Sequence, residues 1–380
     1  MSDRSMSSII VGGGIFGLFD AYHLINEGVD VVIIEQGKPG DWSRAAAGLI
    51  EYRIFSSNLI NAPGYIIKYL NMIRTNNASI KYVDFNWLSK YLKGYGHKFS
   101  TDLIDEIKSI NDLSRSIYRR LSEERNDFEY SEELYYKLTR NIENAVKDAK
   151  SDPLNPKFEI TEVMGKEALA FYDTAKLSTD LLISRLLREL ELSNKAKFIN
   201  ALVWDVDNDN GIVYLNSGKA LKADFIIITA GYWTATLGVP VMPFKGFGLR
   251  VKSGVKLSGP TSFDDLGIFM IPFSNWVKVT ARFDPDCGLV TMPLREVFGR
   301  ARSVLGDLEV VDVAIGYRPC TPDGLPIIDK ISEKTYIATG GCRLGWTQAP
   351  GAAKLITDMA LGRTKETPFK LSRFKGLKDT

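Results

Sequence analysis

Ile9, Ile10 and Val11 form a short run of adjacent apolar, β-branched positions, which predicts a strand buried on both faces of a parallel sheet. Past a glycine cluster, Leu18, Ala21, Tyr22, Leu24 and Ile25 recur at helical spacing. Gly28 is placed to end that helix, and Val29 to Ile34 is a second β-branched run. The opening segment therefore predicts strand, turn, helix and strand in close succession.

Beyond residue 64 this rhythm breaks. Leu103, Ile107, Ile110, Ile117 and Leu121 predict a helix among many charges, and "FEYSEELYYKL" is better suited to strands. "NIENAVKDAKSDPLNPKFEI" predicts a solvated helix followed by a loop. Thr179 to Leu192 is a clear amphipathic helix, with Ser178 or Thr179 and Asp180 as cap candidates. Strands and turns alternate from Lys197 into the fully apolar run Phe225–Ile228, with "NDNG" and "NSG" as hairpin turns. Short apolar strands from Lys245 to Leu305 predict an antiparallel sheet. The buried strand in "TYIATGG" and a helix from about Pro350 to Leu361 close the chain.

The glycines between the first strand and helix carry chemistry. Gly12, Gly14 and Gly17 fit G-x-G-x-x-G: a tight turn, a close approach of backbone to phosphate, and close packing of helix on strand. Glu35, eighteen residues after Gly17 at the end of the second strand, can accept hydrogen bonds from a ribose and would repel a 2′-phosphate. A dinucleotide pyrophosphate would rest on the positive end of the helix.

Composition narrows the picture by exclusion. The 380 residues exceed one ordinary core, so two joined domains are expected. A hydrophobic content of 45% and a formal net charge of +2 give no reason to propose nucleic acid or an anionic membrane as partner. No apolar run is long enough to span a bilayer. Ile9–Phe19 has the length of a signal-peptide core, but its glycine spacing is better explained by the dinucleotide turn. Cys287, Cys320 and Cys342 are widely spaced and suggest neither a disulfide framework nor a zinc site, which points to a reducing cytoplasm. With only His23 and His97, a histidine-based metal cluster is not expected, and His23 fits a packing or surface role.

Several segments together resemble the flavin-dependent D-amino-acid oxidase superfamily, in the branch of glycine oxidase, sarcosine oxidase and D-amino-acid dehydrogenases. "SRAAAGLI" (Ser43 to Ile50) is similar to the loop that passes the flavin in that branch. "ADFIIITAGYWT", "GYRPCTPDGLPIID" and "IATGGCRLGWTQAPGAAKLITDMALG" match later segments. The resemblance implies an α/β fold: a Rossmann-type FAD-binding domain from residues 1–63, 165–244 and 310–375. A mixed α/β substrate domain on an antiparallel sheet would come from 64–164 and 245–309. It implies FAD contacts at Gly12, Gly14, Ile15, Phe16, Gly17, Glu35, Gln36, Ser43, Arg44, Ala46, Ala47, Gly48, Leu49, Val203, Ala230, Gly231, Gly341, Arg343, Leu344, Gly345, Trp346 and Thr347. Small residues suit a broad flat ring, and backbone N–H groups with a helix N-terminus suit negative charge on reduced flavin.

At the substrate end the resemblance places Arg318 as the carboxylate fork. Arg343 matches an arginine that some amine-oxidising members hold near the active site. Arg53 either faces the pocket or forms a surface ion pair. Lys278 resembles the lysine that sarcosine oxidases place beside the flavin to assist oxygen, the alternative being an outward-facing strand lysine. Cys320 is read as a packed thiol. Many relatives carry a histidine where this chain has Gly341, and an alcohol substrate needs such a base more than an amine does.

The resemblance thus implies oxidation of a small amino acid or N-methyl amino acid at its α-carbon, giving an imino acid and then a 2-oxo acid. The alternatives are a dye- or quinone-linked 2-hydroxy-acid dehydrogenase and a flavin-carrying subunit that depends on a partner. The electron acceptor stays open between oxygen and a dye or quinone, with a slight lean to the latter.

Overall fold

The computed structural model describes residues 5–56, 58–364 and 366–374. Its first layer is a six-stranded sheet in the order Ile327–Lys330, Thr335–Thr339, Phe225–Ile228, Ser7–Val11, Asp30–Glu35 and Ala196–Asn200. All neighbours are parallel except the first pair. The β-branched runs lie in register at its centre, with Ile9 beside Ile226 and Val32, and Ile10 beside Ile227 and Ile33. Helices Ile15–Asn26, Thr179–Leu192 and Gly345–Ala360 pack on one face around Leu18, Phe19, Leu186 and Ala352. A three-stranded antiparallel sheet, Val203–Asp207, Ile212–Leu215 and Ala220–Lys222, lies against the other.

The second layer is an eight-stranded mixed sheet running from Leu308–Cys320 through Met242–Ser253, Val277–Pro285, Ile268–Pro272, Thr261–Phe263, Tyr135–Leu138 and Lys166–Phe171 to Phe158–Val163. Every pairing is antiparallel except Thr261–Phe263 with Tyr135–Leu138. Fold class and two-part build are as expected. The division at 164/165 does not follow the sheets, because Lys166–Phe171 pairs with strands of the second layer on both sides.

Two glycines let the layers meet. A Cβ at Gly248 would lie 2.4 Å from the carbonyl oxygen of Ala45, and one at Gly316 would lie 2.8 Å from that of Trp42. The second sheet therefore presses its backbone onto the loop that leaves Glu35.

Tyr65–Arg74 and Phe85–Gly94, for which the sequence predicted no element, are helices, and two local expectations need correction. The first packs Tyr65, Tyr69 and Met72 only partly buried against the core and exposes Ile66, Ile67 and Leu70, so apolar residues lie on both its faces and blur the pattern. Leu294–Leu305 is a helix too, burying Val297, Ala301 and Leu305 at four-residue spacing where strands were expected. The closing helix starts at Gly345 and contains Pro350. A proline there leaves the carbonyl of residue 346 without its helical donor. The Tyr118 hydroxyl supplies one instead, donating to the Trp346 carbonyl at 2.6 Å.

Cys320 is not a free packed thiol but is disulfide-bonded to Cys342. The chain returns from the second layer to the first between them, and a β-bridge joins Cys320 to Gly341. Sequence spacing gave no sign of that pairing, so it lends no support to a reducing compartment. His23 is buried and shares a 3.2 Å hydrogen bond with the Pro350 carbonyl, in keeping with a packing role.

Candidate active site

A cavity of about 440 Å³ runs from the glycine turn along the carboxyl ends of the central strands to the seam between the two layers. At one end lie Gly12, Gly14, Ile15 and Phe16, with Glu35 and Gln36 at the tip of the second strand. The turn is built for close approach. A Cβ at Gly12 would lie 2.6 Å from the Thr229 carbonyl oxygen, and Gly12 holds a φ of +108°. A Cβ at Gly17 would lie 2.1 Å from the Gly12 carbonyl, so Gly17 seats the helix and does not face the cavity. Glu35 accepts hydrogen bonds from the N–H groups of Gly13 and Gly37, both at 2.8 Å, which fixes its carboxylate at the cavity edge.

Ser43 and Ala46 line the middle of the cavity, and Ser43 Oγ accepts from the Ile15 N–H at 3.0 Å. Val203, Ala230, Gly231, Gly341, Gly345 and Trp346 complete the predicted lining. The closing helix points its N-terminus into the same space. Trp42, Trp204, Tyr232, Trp233 and Tyr317 also line the cavity and were not singled out by the sequence. Four of them form one aromatic cluster, with Trp42 5.7 Å from Trp233 and 5.2 Å from Tyr317 between ring centroids. Single aromatics scattered along a chain carry no spacing that would join them.

Arg44, Ala47, Gly48, Leu49, Leu344 and Thr347 are neighbours of lining residues along the chain but do not line the cavity themselves. Arg44 turns away into an ion cluster with Asp41, Asp180 and Asp312. Lys278 is neither beside the cavity nor outward-facing. Its ammonium is buried, donating to the Arg44 carbonyl at 2.8 Å and to Asp180 at 3.1 Å. Arg53 likewise points elsewhere, paired with Asp112 at 2.7 Å.

The far end of the cavity carries Arg318 and Arg343. Their guanidinium carbons lie 5.7 and 4.7 Å from the centroid of the same Phe283 ring. Arg318 makes one hydrogen bond, to the Arg282 carbonyl at 3.2 Å. Among the described residues neither guanidinium has a carboxylate partner. Burial, reinforced by the Arg343 charge, pushes Arg318 down to about 10, still a cation at neutral pH. Two unneutralised cations in a partly desolvated pocket call for an external anion.

The cavity fits a long cofactor with a diphosphate and a flat ring. The glycine turn and helix N-terminus suit the diphosphate, Glu35 a ribose, and the small residues Ala46, Gly341 and Gly345 a ring face. Among the described residues no cluster of metal-ligating side chains occurs and no helix is long and apolar enough to cross a membrane.

Comparison with known proteins agrees with this geometry. The family described as DAO, FAD dependent oxidoreductase, matches residues 8–359. The chain belongs to that family. It is 44% identical over 372 residues to D-proline dehydrogenase of Pyrobaculum islandicum, covering 97% of this chain and all of that protein. It is 25% identical to D-amino acid dehydrogenase of Vibrio vulnificus, covering 97% and 99% of the two chains. Among solved structures, glycine oxidase from Geobacillus kaustophilus superposes with a TM-score of 0.71 at 19% identity, over 97% and 98% of the chains. As a member of the DAO family the chain is an FAD-dependent oxidoreductase.

Proposed function

We propose that this chain oxidises a small amino acid with a secondary amine, D-proline foremost, at its α-carbon, and passes the electrons to an acceptor other than oxygen. The observation that carries the substrate class is the pair Arg318 and Arg343, held over Phe283 without a protein carboxylate between them. A planar fork binds a carboxylate through two parallel hydrogen bonds and so fixes the α-carbon beside it. Phe283 stacks on Phe244 at 4.4 Å and so gives both guanidinium groups a common apolar platform. The D-proline dehydrogenase of P. islandicum, similar along its whole length, supports the same substrate.

FAD, when bound, supplies the hydride acceptor for the α-carbon. The chain's own Arg318 and Arg343 hold the carboxylate. The position of Lys278 supports a dehydrogenase, since its charge is spent on Asp180 away from the cavity. Both relatives named from sequence are also dehydrogenases.

The test is an anaerobic panel on the purified holoenzyme with D-proline, L-proline, N-methylglycine, D-alanine, D-lactate and 2-hydroxyglutarate. D-proline should bleach the flavin fastest. Bleaching by the hydroxy acids alone would replace this function with the hydroxy-acid one.

A further inference from the structure

Arg343 reaches the cavity from Cys342–Leu344, a single tight turn ahead of the closing helix. Cys342 takes a φ of +46°, in the left-handed region that side chains disfavour, so contacts from outside the turn must hold it. The first N–H groups of such a turn also lack acceptors within it. Among the described residues the Arg343 side chain makes no hydrogen bond. Its guanidinium is therefore placed by the Phe283 ring, whose centroid lies 4.7 Å away, and by the position of its own main chain.

Asn58 supplies that hold. It is fully buried, and its Oδ1 accepts from the Arg343 N–H at 2.9 Å across 285 residues of sequence. Its Nδ2 donates to the Gly341 carbonyl at 3.3 Å and to the Gly324 carbonyl at 3.0 Å. Only this orientation of the side-chain amide sets a donor against an acceptor at all three contacts. Gly341 and Arg343 line the cavity, and Gly324 follows Arg318 in the segment "GYRPCTPDGLPIID". The approach is close: a Cβ at Gly324 would lie 2.0 Å from the Asn58 carbonyl oxygen. Asn58 is itself seated, its N–H donating to the Phe55 carbonyl at 2.8 Å and its carbonyl accepting from the Ile60 N–H at 2.7 Å. The disulfide and the β-bridge to Cys320 hold Cys342 and Gly341, whereas the Arg343 N–H is taken by Asn58.

Resting on the function proposed above, we infer that Asn58 is a positioning residue that sets Arg343 for the substrate carboxylate. Asn58 does not line the cavity, so it acts on the carboxylate through Arg343. A residue without its amide would leave the Arg343 N–H and two carbonyls buried and unpaired, and the turn would shift to find other partners. Arg343 holds the carboxylate in the bound substrate and in the transition state alike. Moving that cation therefore weakens both by the same factor, which raises KM and leaves kcat nearly unchanged.

The experiment is a double-mutant cycle on FAD-saturated holoenzymes: wild type, Asn58→Ala, Arg343→Ala and the pair. Calorimetry gives the Kd for pyrrole-2-carboxylate, and anaerobic flavin reduction by D-proline gives the saturation constant and the limiting rate. Asn58→Ala should raise the Kd and the saturation constant about tenfold, with the limiting rate within about twofold of wild type. In the Arg343→Ala background the same substitution should add nothing to the Kd. Asn58→Ser, which keeps a small hydroxyl that water can join, is the milder variant and should move the same quantities in the same direction. A wild-type Kd in a folded Asn58 variant overturns the role of Asn58. So does a tenfold loss that persists when Arg343 is already alanine, or a limiting rate that falls while the saturation constant stays put. Wild-type enzyme that binds no pyrrole-2-carboxylate and is reduced by no amino acid instead overturns the amino-acid function, a distinct result seen before any variant is made.

Discussion

Lys278 donates a 2.8 Å hydrogen bond to the main-chain carbonyl of Arg44, inside the loop whose neighbours Ser43 and Ala46 line the cavity. The same ammonium pairs with Asp180. Burial pushes Asp180 up, yet Lys278, Arg250 and Arg44 together hold it below its usual range. Lys278 thus ties a helix of the first layer and a strand of the second to the loop between them.

Lys278→Met should therefore leave oxygen reactivity of reduced enzyme unchanged and lower stability by about 2 kcal/mol, since Asp180 keeps Arg250 at 3.3 Å. Thermal unfolding with and without added FAD checks the stability term, and reoxidation in air checks the other. A variant that unfolds like wild type but has lost oxygen reactivity would contradict this placement.

Arg318→Ala should cost about a hundredfold in kcat/KM for the amino acid, because it leaves a substrate carboxylate facing one cation. Arg318→Lys should recover only part, since an ammonium cannot reproduce the bidentate fork. Flavin content should stay at wild-type level in both, measured by absorbance.

The disulfide joins the two chain segments that carry the arginines: Arg318 is two residues before Cys320, and Arg343 follows Cys342. The paired substitution Cys320→Ser with Cys342→Ser should lower stability by about 3 kcal/mol through the loosened loop. It should also raise KM for substrate, because the arginines lose their common tether. Reductant added to wild type should move both quantities in the same direction.

His23 gives a pH signature. Burial pushes its imidazole down to about 4, against an ordinary value of 6.5. The unfolded chain therefore binds the proton first as pH falls, and stability declines between pH 6.5 and about 4 by on the order of 3 kcal/mol. His23→Gln should flatten that part of the curve of melting temperature against pH.

The first layer was largely legible from the sequence because its signals are local. Ile9–Val11, the three glycines and Glu35 lie within one strand–helix–strand unit whose spacing is set by the ligand. Arg318 was legible only through its resemblance to a known segment. The aromatic cluster of Trp42, Tyr232, Trp233 and Tyr317 was not legible, since three separate chain segments supply it. Lys278 was misjudged because strand alternation does not distinguish solvent from a buried ion pair. The Cys320–Cys342 bond depends on a return between the layers that no periodicity records.

In the function proposed here, Arg318 and Arg343 hold the amino-acid carboxylate and so bring a carbon–nitrogen bond to the flavin. Anaerobic stopped-flow reduction of wild-type and Arg318→Ala holoenzymes by D-proline tests it most directly. Flavin should bleach rapidly in wild type, and the saturation constant should rise strongly in the variant. Flavin that D-proline leaves oxidised, or reduction with the same saturation constant in both proteins, would contradict it.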